Sequence, residues 1–429
     1  MNFDRHNKSG AVRLIFALGF LAASHLAVAE TLSRDEAIRL AFQNNRDLAI
    51  ASLEIRRAAT RLKWSGRLEN PELEFARTGD GFGEDEGEGV AEIGFSQRFP
   101  ITTRLKHEKN LRRYEVILAE AEIAEQRRKL AGEVDLALVE LIATREKMAV
   151  SRELLRLNRE IVDFLKQQAK EGLVSSLDVM QATLNGRTLE QQAKSLEAVE
   201  KQNLLRFVQH IGLEAGVTVE VETRFHVPGK QPGIDVSLET VLQRRPDYVL
   251  ALAKTDEAAA AVTLEQAKRW QDVSVRLFVE QEDAIDDPDG LDGNTFSGFG
   301  ISIPLPLRDQ NQEGIEQAEI NEEAAAKGVD AARFRIRSEC EEAFHLRTDA
   351  WELARDASGE LLDLAETNLE EFRKAYQQGQ ASLIQVQRAQ EQVLELKTAS
   401  LEFVADYERA AARVRLVTGD YPGLAVPSK

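Results

Sequence analysis

Gly172-Leu173-Val174-Ser175-Ser176-Leu177-Asp178-Val179-Met180-Gln181-Ala182 returns further along the chain as Gly379-Gln380-Ala381-Ser382-Leu383-Ile384-Gln385-Val386-Gln387-Arg388-Ala389. Other landmarks keep the same order at an offset of about 206 residues, far longer than any solenoid period. Gly94-Phe95-Ser96-Gln97-Arg98-Phe99-Pro100 matches Gly300-Ile301-Ser302-Ile303-Pro304-Leu305-Pro306. Glu133-Val134-Asp135-Leu136-Ala137 matches Glu339-Cys340-Glu341-Glu342-Ala343, and the halves end alike at Ile211-Gly212 and Thr418-Gly419. A chance alignment does not hold register over so many separated landmarks. The chain therefore reads as a duplicated half-domain. The repeats are 30–212 and 237–419, joined by a linker at 213–236 with Pro228, Gly229, Pro232 and Gly233, and followed by a tail at 420–429.

Each half reads alike. A helix comes first, over Ser33–Trp64 and Ser237–Trp270. Ser33 with Glu36 makes a capping box, Ser237 caps the second helix, and Pro246 kinks or splits it. Two short strands follow. Val273, Val275, Leu277 and Val279 alternate with Ser274, Arg276, Phe278 and Glu280, and Phe299, Ile301 and Ile303 alternate with Gly298, Gly300 and Ser302. The first half offers Leu73 and Phe75, then Ile93, Phe95, Gln97 and Phe99. Period two with one apolar side is the mark of half-buried strands, and runs of about 8–10 residues approach the ~9–11 that cross a bilayer at a tilt. Two acidic stretches, Gly79–Gly89 and Glu282–Asn294, read as loops in water. Asp286 to Asn294 lacks the spacing of a calcium loop and its closing Glu.

Long helices then dominate. Ile101–Glu171 holds no Pro, and Leu307–Gln378 is comparable. Each would reach ~100 Å if continuous. Val150, Leu154, Leu157, Ile161 and Phe164 alternate at spacings of four and three. After the turns at Gly172–Ser176 and Gly379–Ser382 the chain reverses into Leu177–Ile211 and Leu383–Thr418. In the last helix Val386, Ala389, Val393, Leu396, Ser400, Phe403, Tyr407, Ala410 and Val414 keep a heptad stripe. The fold class is mostly α with a small β part: long antiparallel helices plus four strands per protomer. Four amphipathic strands cannot close a membrane barrel, because their edges would leave unpaired backbone groups in lipid. Three copies would supply twelve strands, an even number in the range of bacterial barrels.

Composition points the same way. The 429 residues include 73 acidic and 55 basic, for a formal net charge of −18, which argues against a nucleic-acid partner. Few aromatics and prolines with 30% charged residues resemble long-helix composition. The lone cysteine excludes a disulfide framework, and Cys340 reads as a small buried hydrophobe. Arg5, Lys8 and Arg13 precede an apolar run that ends at Ala27-Val28-Ala29, so residues 1–29 read as a cleaved signal peptide without a lipid-modified cysteine. Without it 52 basic residues face 72 acidic ones, or −20. No later run is long and apolar enough for a transmembrane helix. His107, His210, His226 and His345 are scattered, and no catalytic, metal or phosphate-binding motif occurs, so neither enzyme activity nor a cofactor is expected.

The duplicated halves, the strand pairs running into Pro100 and Pro306 and the two Gly-x-x-Ser turns resemble the TolC-like outer-membrane efflux proteins over essentially the whole mature chain. The resemblance implies a homotrimer whose 12-stranded barrel sits in outer-membrane lipid and continues as a helical barrel across the periplasm. Pro100 and Pro306 look like the barrel-to-helix junctions. Gly172, Leu173, Ser175 and Asp178, with Gly379, Ser382 and Gln385, look like helix tips that dock a periplasmic adaptor, and through it an inner-membrane pump of the RND type. Family members with an acidic constriction carry Asp where this chain has Gln385 and Arg388, leaving Asp178, Gln385 and Arg388 as constriction candidates. The function implied is a passive exit duct of a tripartite efflux system. The short C-terminus and missing lipidation resemble the heavy-metal branch, which implies metal cations as cargo, with drugs, solvents and exported protein as the other cargoes left open. A type I secretion duct, the periplasmic adaptor of the same machines and a purely structural coiled coil are the competing readings. An adaptor would carry one hairpin and flanking β-domains, and a plain coiled coil leaves the four strands without purpose.

Overall fold

The computed structural model describes residues 31–79, 88–214, 216–217, 219–221, 225, 227–233, 236–286, 290–357 and 359–424. The signal-peptide reading, the tip of the first acidic loop and the end of the tail fall outside them.

The chain runs α1 (Arg34–Asn44), α2 (Arg46–Ala51), α3 (Leu53–Trp64), β1 (Glu72–Gly79), β2 (Gly89–Phe99), α4 (Arg104–Lys170) and α5 (Ser176–His210). It then repeats the order as α6 (Leu238–Arg244), α7 (Pro246–Ala267), β3 (Val273–Asp286), β4 (Gly290–Ser302), α8 (Gln312–Ala357), α9 (Glu360–Gln377) and α10 (Leu383–Thr418). The Ser33–Glu36 capping box is present, with the Glu36 N–H donating to Ser33 Oγ at 3.4 Å and the Ser33 N–H to Glu36 Oε2 at 3.0 Å. Pro246 sits at the first position of α7, where its missing N–H costs nothing.

Three expectations need correction. The helix expected over Ser33–Trp64 is three helices. Asn45, in an extended conformation, accepts the Leu48 N–H at 2.9 Å and restarts the chain as α2, and Ser52 divides α2 from α3. The helix expected over Leu307–Gln378 starts at Gln312 and splits before α9, where Gly359 adopts φ −110° and ψ −146°, outside the helical region. The acidic stretch Glu282–Asn294 is not all loop: Glu282 pairs with Asn294, Asp283 with Gly293 and Ala284 with Asp292. Backbone pairing tolerates acidic side chains there because the ladder needs only N–H and C=O groups.

The helices form a wall. α4 packs on α5, α10 and α7; α10 packs on α8 and α9; α7 also packs on α8. One apolar cluster joins Ala37, Ile38, Leu130, Val134, Ala137 and Phe207, and a second joins Val241, Leu242, Ile336, Cys340, Ala343 and Val414. The two hold matching positions in the two halves, and burying each large member is worth roughly 1.5–3 kcal/mol. Between them run charged tethers. Asp135, fully buried, accepts from Arg34 Nε at 2.8 Å and Arg415 Nε at 2.7 Å. Arg245, also buried, pairs with Asp247 at 2.7 Å and Glu339 at 3.0 Å and donates to the Val417 carbonyl at 2.9 Å. Burial opposes its charge, but those two carboxylates outweigh it and hold the guanidinium above its ordinary range.

Candidate functional site: a two-faced sheet and paired helix tips

The four strands form one antiparallel sheet in the order β1-β2-β3-β4, with β2 pairing β3 across the two halves. Directly opposed residues share a face, so the register sorts the side chains. Leu73, Phe95, Leu277 and Phe299 form one row, and Phe75, Ile93 and Val279 the next. This face is bare: Leu73 is 71% exposed, Phe75 79% and Phe299 73%. An apolar surface of that size is not left in water.

The opposite face carries the charge. Glu74, Glu92 and Arg276 lie on it, with Arg276 Nη2 3.0 Å from Glu74 and also paired to Glu92, so one guanidinium ties three strands. Glu72, Arg98, Glu280 and Glu282 share this face by register. Its acids outnumber its bases. β1 and β4 each keep one edge with no partner strand among the described residues. The strands of the second half, at 14 and 13 residues, exceed the expected length.

Pro100 directly follows β2, and Pro306 lies between β4 and α8. Both lie between a strand and the long helix that follows it. The junction is braced: the Thr102 hydroxyl donates to the Ala267 carbonyl at 3.0 Å, Arg104 pairs with Asp272 at 2.6 Å, and Asn311 Nδ2 donates to the Glu265 carbonyl at 2.9 Å. A cavity of about 480 Å³ lies beside it, lined by Arg98, Arg104, Lys268, Trp270 and Asp272. The three cations are already paired, Lys268 with Glu265 and Arg98 with Glu69 and Glu72, so the cavity offers no spare charge to an anion.

At the far end the two turns are built alike. Gly172 has φ +74° and Gly379 φ +73°, a conformation that side chains with a Cβ resist, and each ends its helix through paired backbone bonds. The Gly172 N–H reaches the Ala169 carbonyl at 3.2 Å and Leu173 that of Gln168 at 3.0 Å; Gly379 and Gln380 reach Tyr376 at 3.0 Å and Ala375 at 2.8 Å. A Cβ at either glycine would meet nothing within 4 Å, so the surface around both is open. Ser175 and Ser382 cap the returning helices: Ser175 Oγ accepts the Leu177 N–H at 3.1 Å, and Ser382 Oγ accepts that of Gln385 at 3.4 Å. The Gln385 side chain completes a capping box by accepting the Ser382 N–H at 2.7 Å. Leu173 is exposed and Arg388 faces solvent. Asp178 is half-buried in the first turn of α5.

One tip residue escaped the sequence reading. Tyr376, in the last turn of α9, lies edge-on to Phe164 at 6.2 Å and buries a hydroxyl with no hydrogen-bond partner. Burial and then the charge of Asp178 push its ionisation up, so the two turns are close enough to feel each other. Its place three residues before Gly379 gave no signal, because an aromatic near a helix end is ordinary core.

Among the described residues, no group of His, Cys, Asp and Glu could hold a metal ion, and no helix is long and apolar enough to cross a membrane. Cys340 lies in the second core cluster, where burial raises its thiol above the ordinary value.

The family model described as outer membrane efflux protein matches residues 37–212 and 237–420, one stretch in each half. No curated protein matches the chain in sequence. Among solved structures it resembles CusC, described as forming a transmembrane channel, with a TM-score of 0.73 and 18% identity over 90% of this chain and 91% of that one. It also resembles the outer membrane protein VceC of Vibrio cholerae (TM-score 0.67, 17% identity, 90% and 96% covered). The open state of the MtrE outer membrane channel of Neisseria gonorrhoeae gives a TM-score of 0.69 at 15% identity, with 90% and 88% covered. These identities carry the fold alone, and the family model carries the rest: the chain belongs to the outer membrane efflux protein family, a family of transport channels rather than enzymes.

Proposed function

We propose that three copies of this chain close into a continuous duct, the exit channel of a tripartite efflux system. The observation that carries the reading is the sheet: one bare apolar face, one charged face and two free edges. Lipid covers the first, water the second, and neighbouring copies the third. The step from β2 to β3 inside the chain supplies the pattern for the step from β4 to the next copy's β1. It sets Ile301 beside Phe75 on the apolar face. The helices repeat the logic. α7 packs between α4 and α8, whereas α3, its counterpart, packs on α4 with Leu53 exposed. The next copy's α8, with Phe334 73% exposed, fills that place.

The open tips around Gly172 and Gly379 are the docking surface for a periplasmic adaptor, which links the duct to an inner-membrane pump. Asp178, Gln385 and Arg388 stand nearest that entrance as its constriction. The acidic face of the sheet favours cations in transit, and metal cations are the cargo we assign. Among the described residues no group of His, Cys, Asp and Glu could hold a metal ion, so we assign selection to the pump.

The test is purified protein in a planar bilayer, paired with complementation of a strain lacking its efflux channel. Cation-selective conductance at neutral pH and restored resistance to metal salts are expected. A protein recovered only from the soluble periplasmic fraction, with no conductance, would overturn the duct. Anion selectivity would overturn the cation assignment.

A further inference from the structure

Close to the sheet, α4 is flanked on both sides by its own chain. On one side Gly66, just after α3, comes so near that a Cβ there would stand 2.8 Å from the Leu105 carbonyl oxygen. On the other, Arg104 pairs with Asp272, just after α7. Neither flank of these first turns is left for a neighbouring copy. From Arg104 to Leu118 three positions are exposed, and all three are cations: Lys106, Lys109 and Arg113. Spacings of three and four set them in one stripe. Among the described residues none of them has an ion pair, whereas Arg61, Arg104 and Arg112 around them are each paired.

The direction of the stripe follows from Arg104. Arg104 borders the junction cavity together with Arg98, Ser274 and Ser302, which share the charged face of the sheet by register. At about 100° per residue, Lys106, Lys109 and Arg113 stand roughly 140–200° around the helix from it. They look out on the side of the apolar face. That face runs down to Phe99, the last residue of β2, and Ile101 beyond it is 53% exposed. The stripe begins about 3 Å along α4 and ends about 14 Å along it. A headgroup layer is ~5–8 Å deep, and long basic side chains carry their charge toward it.

The repeat supplies a contrast. At the matching positions α8 carries Gln312, Ile315 and Glu319, so the wall can be built at this level without a basic stripe. Like charges at these spacings repel one another, and an anion lying across them removes that cost. We propose that Lys106, Lys109 and Arg113 hold the phosphate of an anionic phospholipid in the periplasmic leaflet, at one site on the outside of each copy. The apolar face sets the depth of the acyl chains, and the stripe selects the headgroup. A zwitterionic lipid brings its own cation and gains little there. The site rests on the duct reading for the lipid that lies against the sheet.

Spin-labelled lipids test it. Purified protein is placed in phosphatidylcholine vesicles with a trace of labelled phosphatidylglycerol or of labelled phosphatidylcholine, and the motionally restricted fractions are compared. The wild type should hold phosphatidylglycerol at least about fivefold in preference, the factor that one basic residue beside an anionic surface supplies. The preference should shrink in ~1 M salt, where charges are screened beyond ~3 Å. Lys106→Gln with Lys109→Gln and Arg113→Gln should abolish it. Lys109→Gln alone, with a partial loss, is the companion variant should the triple one fail to form heat-modifiable trimers. A folded triple variant with unchanged preference overturns the proposal. Loss of the wild-type preference on adding inorganic phosphate at constant ionic strength would assign the stripe to the free anion and overturn it too. A protein that conducts while restricting both lipids equally sinks the site and leaves the duct standing, whereas one that enters no vesicle sinks the duct and the site with it.

Discussion

Removing the Asp135 carboxylate tests whether buried charge holds the middle of the molecule together. Asp135 is fully buried and is shared by two guanidinium groups, Arg34 on α1 and Arg415 on α10. The two would not suffer equally. Arg34 is about a third exposed and keeps Glu408 at 3.3 Å, so water and that carboxylate compensate it. Arg415 is more enclosed; burial opposes its charge, and Asp135 outweighs burial and keeps its guanidinium above the ordinary range. Breaking a buried pair from one side costs ~3–5 kcal/mol, and the mostly one-sided loss here puts Asp135→Ala near ~3 kcal/mol. Asp135→Asn should cost about half, since its amide oxygen still accepts one N–H. Heating purified trimers and following the trimer band on gels gives the readout. At roughly 2–4 °C per kcal/mol, Asp135→Ala should fall by roughly 6–12 °C. The double change Asp135→Leu with Arg415→Met should recover most of that loss. An alanine variant melting within about a degree of the wild type would refute the reasoning, because a largely enclosed guanidinium that loses its main partner cannot be that cheap.

Three further outcomes are expected. Phe75→Cys with Ile301→Cys, in a Cys340→Ala background, should yield disulfide-linked dimers and trimers on oxidation, whereas Glu74→Cys with Ile301→Cys, which face opposite sides of the sheet, should not; denaturing gels without reductant read the difference. Gly172→Val and Gly379→Val should cost only ~1–2 kcal/mol each for the left-handed backbone, because no neighbour is struck, yet abolish adaptor-dependent resistance with trimers intact; unchanged resistance would remove the tips from docking. Burial, then the nearby charge of Glu115, raises the Glu257 carboxyl above 4.5, so its ionisation destabilises the fold at neutral pH and that cost disappears as pH falls through the raised value. Glu257→Gln should therefore raise the melting temperature at pH 7 and lose the advantage in acid, and a gain independent of pH would contradict the sign.

The strands were legible because alternation is a local signal. Leu73, Phe75, Leu277 and Val279 declare a face without help from the rest of the chain. The tip glycines and the serines after them were legible for a similar reason: a left-handed turn and an N-cap each demand a residue type. The breaks at Asn45, Ser52 and Gly359 were not. Each costs a helix little in isolation, and packing against distant segments decides whether the chain bends there. The acidic run at 282–294 misled because composition was read ahead of pairing. The role of Gln385 shows the limit of comparison by position. Its departure from aspartate was visible, but its service to the Ser382 cap appears only once the backbone is in place. The Asp135 and Arg245 tethers join residues far apart in sequence, beyond the reach of any pattern.

The unpaired edges of β1 and β4 also constrain biogenesis. A single protomer offers lipid two rows of unsatisfied backbone groups, so it has no stable way to enter the bilayer alone. Insertion and assembly must then be one event, and its rate must climb more steeply than the supply of chains. Below some level of synthesis unassembled protomers would outnumber channels. Above it, channels would appear together. The same edges that complete the wall therefore set a threshold of synthesis that must be passed before ducts form.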